Sequence, residues 1–389
     1  MKIAQVNSYF YPFMIGGAEW YVYNMSKELV KAGHQVTVFT ADRYGGEKVP
    51  SEEVVEGIRV RRIPLKVDLS YRMKIWDGLS DALEGESFDI IHTYDYAQQH
   101  TLDALNAARM GGVGSALTVF DVHSSIPRGW FKRIPMNYLD GYFARRAFPL
   151  ATRILVRAPD LVKGLPEIGR FESKVRITPS GVRPESFETY DGQGFRRRFG
   201  IDGSPMVLFL GRLNPLKGPQ FIIEAAPRLA EEFPGITFVF VGPDQSGFKE
   251  RLQARAAELD VSSRVHLTGM ISDFREKMEA YSACDLFCLP TSYEGTSQSI
   301  FEAMTQGKPI VATRTGGIPF QIEDGTNGYL VEYGDVKGLA EAMAHALRDP
   351  SNSKELGARA RAKVADFQYP SLAAGLQAIY EEIVKTVGN

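Results

Sequence analysis

Met206-Val207-Leu208-Phe209-Leu210-Gly211-Arg212-Leu213-Asn214-Pro215-Leu216-Lys217-Gly218 opens on five apolar residues and closes on a loop with two cations. A short apolar run bounded by glycine suits a strand buried on both faces, as parallel sheets require. Helical periodicity follows over 218–233, so the loop leads into a helix N-terminus. Unpaired amides and the positive end of the helix dipole favour an anion at such a place. Arg212 offers a planar fork to phosphate oxygens and Lys217 a point charge.

Outward from this segment the same alternation repeats. Strand patterns fall at 3–6, 36–40, 58–63, 89–92, 116–119, 153–156 and 175–177, then at 206–210, 237–241, 264–268, 286–289 and 309–312. Helical patterns fall at 18–32, 97–110, 135–148, 218–233, 248–259, 274–284, 297–306 and 336–348. Strands alternating with helices predict an α/β protein with doubly wound parallel sheets. The pattern restarts near residue 205, after the Pro- and Gly-rich stretch 179–194. The expected organisation is a domain at 1–180, a second at 181–365 and a closing helix at 366–389. In such sheets ligands gather outside the carboxyl ends of the strands, so chemistry is sought just after strands.

Bulk properties exclude other classes. The chain has 389 residues, 44% hydrophobic and 24% charged, with a net charge of −2. That balance suits globular cores and gives no sign of nucleic-acid binding. Cys284 and Cys288 have no zinc-site spacing; on one strand they would share a face as buried thiols. No run approaches the roughly 20 apolar residues of a membrane span, and the first residues do not form a signal peptide. The expected location is the cytoplasm.

Four more segments could carry chemistry. Gly16-Gly17-Ala18-Glu19 opens a helix after the first strand, either as an anion cradle or as a plain tight turn. Glu294-Gly295-Thr296-Ser297 follows the strand at 286–289, and Glu302 lies about one and a half turns into the next helix. Glu302 is flanked by Ile300, Phe301, Ala303 and Met304; a carboxylate buried there needs partners, which ligand hydroxyls would supply. The bland alternative is two ordinary acids at a helix start. His123 follows the strand at 116–119, and His92, also at a strand end, is its nearest rival. Gly316-Gly317-Ile318-Pro319 is a further backbone approach to an anion or a turn.

From Gly211 to Val331 the chain resembles the C-terminal domain of the retaining glycosyltransferases of family four, which have the GT-B fold. The resemblance rests on G-R-L-x-x-x-K-G, V-G-P at 241–243, V-H-L-T-G at 265–269, A-C-D-L-F-C-L-P at 283–290 and E-G-T-S-Q-S-I-F-E-A-M at 294–304. G-K-P-I-V-A-T, G-G-I-P and D-G-T-N-G-Y-L-V complete it in the family's order. The N-terminal half matches through G-G-A-E and the placement of His123.

The resemblance implies two Rossmann-like domains facing a central cleft, and a hexose donor linked to UDP or GDP. Arg212 and Lys217, beside Gly211, would neutralise the leaving diphosphate. Glu302 would accept from ribose hydroxyls and Glu294 from the transferred sugar. Gly295, Thr296 and Ser297 would line the sugar and diphosphate, and Gly269, Met270 and Ile271 the base. Gly16 and Gly17 would cover the phosphates, and His123 would approach the reacting carbon. The implied reaction retains stereochemistry and needs no metal or other cofactor; no Asp-x-Asp pair occurs in the chain. Glycan, lipid-linked and small-molecule acceptors all remain open. So do two alternatives on the same fold, a nucleotide-sugar epimerase and a silent nucleotide-sugar-binding protein. Phe320, where the family often has an acid, and Thr296-Ser297-Gln298 depart from the common pattern beside the donor pocket.

Residues 109–157 hold eight basic side chains, ending at Arg157, against two acids. Trp130 and Phe131 sit among Arg128, Lys132 and Arg133, a mixture that suits an anionic lipid surface or a lipid-phosphate acceptor. Peripheral membrane contact through these five residues is a second expectation. A solvated basic face is the alternative.

Overall fold

The computed structural model describes the chain except residues 15, 45–46, 69–73, 121–129, 165–166, 202–204 and 389; of 130–137 and 163–164 it describes the backbone alone. His123 and Arg128 therefore lie outside the described residues, as do the side chains of Trp130, Phe131, Lys132 and Arg133.

The chain divides into two compact units, 1–181 with 369–389, and 182–368. The first contains β1 (Lys2–Val6), α1 (Gly17–Lys31), β2 (Gln35–Ala41), β3 (Arg43–Tyr44), β4 (Glu47–Lys48), β5 (Glu52–Val55), β6 (Ile58–Ile63), β7 (Leu65–Asp68), β8 (Lys74–Trp76), α2 (Leu79–Glu84), β9 (Ile90–Tyr94), α3 (Gln99–Met110), β10 (Gly114–Val119), α4 (Trp130–Leu150), β11 (Arg153–Val156), α5 (Asp160–Gly164) and β12 (Val175–Ile177). The second contains α6 (Gly192–Arg198), β13 (Met206–Leu210), α7 (Pro219–Glu232), β14 (Thr237–Val241), α8 (Phe248–Glu258), β15 (Val265–Gly269), α9 (Phe274–Ala283), β16 (Leu286–Leu289), α10 (Gln298–Thr305), β17 (Ile310–Thr313), α11 (Ile318–Gln321), β18 (Tyr329–Val331), α12 (Val336–Arg348) and α13 (Pro350–Val364). The last helix, α14 (Tyr369–Gly388), returns to the first unit.

The first unit is built on a sheet in the order β12-β11-β10-β9-β1-β2-β6-β5, parallel except for the β5–β6 pair. Its side chains alternate between two cores. Ile3, Val36, Val38 and Ile90 pack with Tyr21, Val22, Met25 and Leu29 of α1 and Leu376, Tyr380 and Ile383 of α14. Ala4, Val6, Phe39, Ala41 and Ile91 pack on the opposite face with Ala104, Ala107 and Ala108 of α3. Period-two alternation feeding two apolar layers is what a sheet covered on both faces requires.

His92 is fixed inside this unit. β9 runs on to Tyr94, so His92 lies within the strand and is fully buried. Its Nδ1 is 2.6 Å from Tyr380 Oη and its Nε2 is 2.7 Å from Thr118 Oγ1. With both nitrogens occupied in the core, it is a structural residue and no rival to His123. His100 is also fully buried and stacks on Trp76 with ring centroids 4.3 Å apart.

The second unit has six strands, all parallel, in the order β15-β14-β13-β16-β17-β18. Counted from β13 this is 3-2-1-4-5-6, and the direction of winding reverses between β13 and β16. The strands β14, β16 and β17 are buried at every residue, as their unbroken apolar runs demand. Cys288 lies on β16, but Cys284 caps the end of α9, so the two thiols do not share a strand face. Both are free and buried, and burial pushes the Cys284 thiol up to about 12.

Burial pushes His92 and His100 down to about 3 from the ordinary value of 6.5. The unfolded chain then binds protons at a higher pH than the folded one. Stability should be full above the unfolded value and fall as pH drops below it, by about 1.4 kcal/mol per pH unit for each histidine. All three tryptophans, Trp20, Trp76 and Trp130, are in the first unit, so their fluorescence reports its unfolding. Urea titrations at successive pH values should show this slope, and His100→Phe should remove about half of it.

Candidate functional site

In the second unit Lys217 and Glu294 meet where β13 and β16 pair side by side, Val207 opposite Leu286 and Leu208 opposite Phe287. The loop leaving β13 is pinned along its length. Gly211 N–H donates to Val241 O at 2.9 Å, and Leu213 N–H to Pro243 O at 2.9 Å. Asn214 Nδ2 donates to Gln245 Oε1 at 2.6 Å, while Asn214 Oδ1 accepts from Lys217 N–H at 2.9 Å and starts a single tight turn.

That turn ends at Gly218, with φ +78°. A β-carbon there would lie 2.0 Å from Pro290 O, so any other residue would be excluded by both torsion and space. The approach lets Ser292 N–H donate to Leu216 O at 2.7 Å and Thr291 Oγ1 to the same carbonyl at 3.1 Å. The loops after β13 and β16 are thus joined backbone to backbone.

Lys217 Nζ donates to Glu294 Oε1 across this seam. The two side chains are 19% and 15% exposed, shielded enough for their charges to matter to each other. Arg212 is exposed beside them, with no ion-pair partner among the described residues. Glu294 is held from behind by Gly316-Gly317: Gly317 N–H donates to Glu294 O at 2.8 Å, and a β-carbon on Gly316 would lie 2.0 Å from that oxygen. The glycine pair therefore packs against the Glu294 backbone.

Glu294 is in the loop, not in the helix, which begins after the Ser297 cap. Ser297 N–H donates to Gln321 Oε1 at 2.7 Å, and Gln321 Nε2 donates back to Ser297 O at 2.8 Å. Gln321 is fully buried, and its own carbonyl accepts from Asn327 Nδ2 at 3.1 Å. This clamp sets the entry of α10, with Gly295 buried and Thr296 half-buried just before it.

Glu302 is 5% exposed on α10. Both its oxygens have protein partners: Lys277 Nζ donates to Oε1 at 2.6 Å and Tyr281 Oη to Oε2 at 3.0 Å. The expectation that ligand hydroxyls must satisfy this carboxylate is corrected, because α9 already does so. A carboxylate accepts about four hydrogen bonds, so capacity for a ligand remains. Burial, with Glu302 adding to it, pushes the Tyr281 phenol well above its ordinary range, so Tyr281 stays a donor.

Gly269, Met270 and Ile271 lie at the end of β15, two strands from β13. Gly269 O accepts from Gly242 N–H at 2.9 Å; Met270 is exposed and Ile271 half-buried. Phe320 packs edge-on against Phe367, centroids 5.7 Å apart. In the first unit Gly16 and Gly17 are exposed at the start of α1. Gly16 N–H donates to Glu19 Oε2 at 2.8 Å, so the fourth residue of the motif takes one amide that an anion would use. Burial raises the Glu19 carboxyl above its ordinary range, against the backbone bonds that lower it. Among the described residues no group of three His, Cys, Asp or Glu could hold a metal ion, and no helix is long and apolar enough to cross a membrane.

Three residues outside the sequence reading shape the site. Asn214 had a local signal, since Asn before Pro initiates turns. Lys277 and Gln321 had none; each acts on a residue more than twenty positions away.

Two doubly wound parallel sheets, the second with polar residues at its winding reversal, are the architecture of the GT-B fold. Solved structures agree: Anabaena HepE in complex with UDP matches with a TM-score of 0.80 at 20% identity, over 98% of this chain and 100% of the other. Sucrose-phosphate synthase from Thermosynechococcus elongatus matches with a TM-score of 0.80 at 21% identity, over 99% of each. The model of glycosyltransferase family 4 matches residues 15–186 and that of glycosyl transferases group 1 residues 193–363. The chain belongs to this family of glycosyltransferases. Its relatives include D-inositol 3-phosphate glycosyltransferase of Nocardia farcinica, 26% identical over 94% of this chain and 84% of the relative. MMP alpha-(1->4)-mannosyltransferase of Mycolicibacterium hassiacum is 27% identical over 96% of both.

Lys277→Met should leave the Glu302 carboxylate buried with only the Tyr281 hydroxyl, at a cost of about 3–5 kcal/mol. Gln321→Leu should leave the Ser297 amide and carbonyl unpaired and cost about 2–4 kcal/mol. Denaturant unfolding of the second unit, followed by far-UV circular dichroism, measures both.

Proposed function

We propose that the chain transfers a hexose from a UDP- or GDP-linked sugar to a glycan, lipid-linked or small-molecule acceptor, with retention and without a metal. The observation that carries this reading is the Lys217–Glu294 contact at the point where the second sheet reverses its winding. Lys217 and the exposed Arg212 would take the donor diphosphate and stabilise charge on the leaving group, which is commonly the largest catalytic contribution. Glu294, released from Lys217, would accept from hydroxyls of the transferred sugar. Glu302, steadied by Lys277 and Tyr281, would accept from the ribose. The amides of Gly295, Thr296 and the start of α10 would face the sugar and diphosphate, and Gly269–Ile271 the base.

Gly16 and Gly17 are proposed for the donor phosphates and His123 for the transferred sugar near its reacting carbon. Retention would follow from same-face attack, with a donor phosphate oxygen taking the acceptor proton. The names of the relatives, an inositol-phosphate glycosyltransferase and a mannosyltransferase, and a neighbour bound to UDP support a nucleotide-linked hexose. Peripheral membrane contact through Arg128, Trp130, Phe131, Lys132 and Arg133 remains a separate proposal.

Lys217→Ala and Glu294→Ala should each lower donor turnover by at least about a hundredfold, the scale of losing one preorganised electrostatic contact. Both should keep the wild-type circular dichroism spectrum. Release of nucleoside diphosphate from a panel of UDP- and GDP-sugars, run with and without EDTA, measures turnover and metal dependence together. Wild-type rates from either variant would refute the assignment of these residues, and activity abolished by EDTA would refute metal independence.

A further inference from the structure

We propose that the first unit contains an oxoanion site centred on Arg157, which takes a phosphate or carboxylate group carried by the acceptor. The acceptor part rests on the transferase reading above. Arg157 directly follows β11, and Thr178 directly follows β12. Both are therefore at the carboxyl ends of parallel strands, where ligands of doubly wound sheets bind.

The electrostatics of Arg157 are unlike those of comparable residues. It is 3% exposed. Its Nη2 donates to Ser180 Oγ at 2.6 Å, and its guanidinium carbon lies 3.9 Å from the centre of the Tyr21 ring and 5.3 Å from that of Phe120. Its Nη1 has no hydrogen-bond partner. Among the described residues no carboxylate pairs with it, although other cations buried this deeply each have one: Arg62 with Glu53, Lys74 with Asp68, Arg196 with Asp285. An unneutralised buried cation is strongly unfavourable, and the aromatic faces relieve only part of that.

The neighbouring groups have matching character. Thr178 N–H donates to Val156 O at 2.8 Å, which extends the parallel pairing one step and sets Thr178 beside Arg157. Thr178 Oγ1 is buried without a partner, and so is Tyr21 Oη. One unpaired guanidinium nitrogen and the unpaired Thr178 hydroxyl at the neighbouring strand end, with no carboxylate pairing with the guanidinium among the described residues, complement an oxoanion in charge and in hydrogen bonding. In the proposed function the donor diphosphate lies on Arg212 and Lys217 of the second unit, which leaves this site to the other substrate.

The test measures binding without donor, so it is independent of whether transfer is ever observed. Thermal unfolding of the full chain, followed by tryptophan fluorescence, is titrated with glucose 6-phosphate, glucuronate, inorganic phosphate and neutral glucose. The melting temperature should rise with at least one of the two acidic sugars and not with glucose. Arg157→Gln should raise the half-saturating concentration by about tenfold or more, the scale of one hydrogen bond to a charged group. Without ligand, Arg157→Gln should melt at or above the wild-type temperature, because it removes an uncompensated charge; a merely structural arginine would leave a less stable variant. Should Arg157→Gln not fold, Thr178→Val keeps the guanidinium and should still weaken the response several-fold. An unchanged response in the variant that folds, a response equal to that of glucose, or no response at all would overturn the site. A response to inorganic phosphate alone would overturn its assignment to the acceptor.

Discussion

At Gly218 the chain turns with φ +78° and brings its backbone so close to Pro290 O that a β-carbon would sit 2.0 Å away. This contact sets the spacing of the loops leaving β13 and β16, and Lys217 and Glu294 inherit their positions from it. It lets Leu216 O receive both Ser292 N–H and Thr291 Oγ1. It also brings Lys217 to Glu294, seventy-seven positions along the chain. A second close approach, Gly316 to Glu294 O, ties the loop after β17 to the same place. Three strand ends are thereby locked around one ion pair, as preorganised electrostatics require.

The two carboxylates of this unit are treated differently by their surroundings. Glu302 is buried and given a cation and a hydroxyl by α9. Among the described residues Glu294 is tied only through its backbone and through Lys217, so in the proposed function its side chain would exchange partners when another anion arrives at the lysine. In the proposed function the fixed acceptor would grip the nucleoside and the exchangeable one the sugar. In the first unit the imbalance is reversed. There a cation, Arg157, is buried with no carboxylate partner among the described residues.

Much of this was legible in the sequence because parallel strands buried on both faces leave unbroken apolar runs. Met206–Leu210, Thr237–Val241 and Leu286–Leu289 are such runs, and their observed bounds are those their patterns predict. Two of the four edge strands of these sheets, β5 and β18, were not legible. β18 has three residues, and β5 has Val54 exposed at 70%, so neither carries enough burial to shape its composition. Loop residues with charge and glycine marked the region proposed for the donor, because they fall between a buried strand and a helix N-terminus. Partners distant in sequence were invisible: nothing near Glu302 points to Lys277, and nothing near His92 points to Tyr380, 288 positions away. The sequence reading saw Arg157 as one basic residue in a row of eight. Only packing distinguishes it, by burying it without a carboxylate partner among the described residues.

The central claim is that the Lys217–Glu294 pair is the resting state of a donor site. A crystal structure of the chain with an unhydrolysed nucleotide sugar tests it most directly. The account predicts Lys217 Nζ on a diphosphate oxygen, with Glu294 turned to a sugar hydroxyl. A complex with the lysine and glutamate still joined and the diphosphate held by other residues would contradict it.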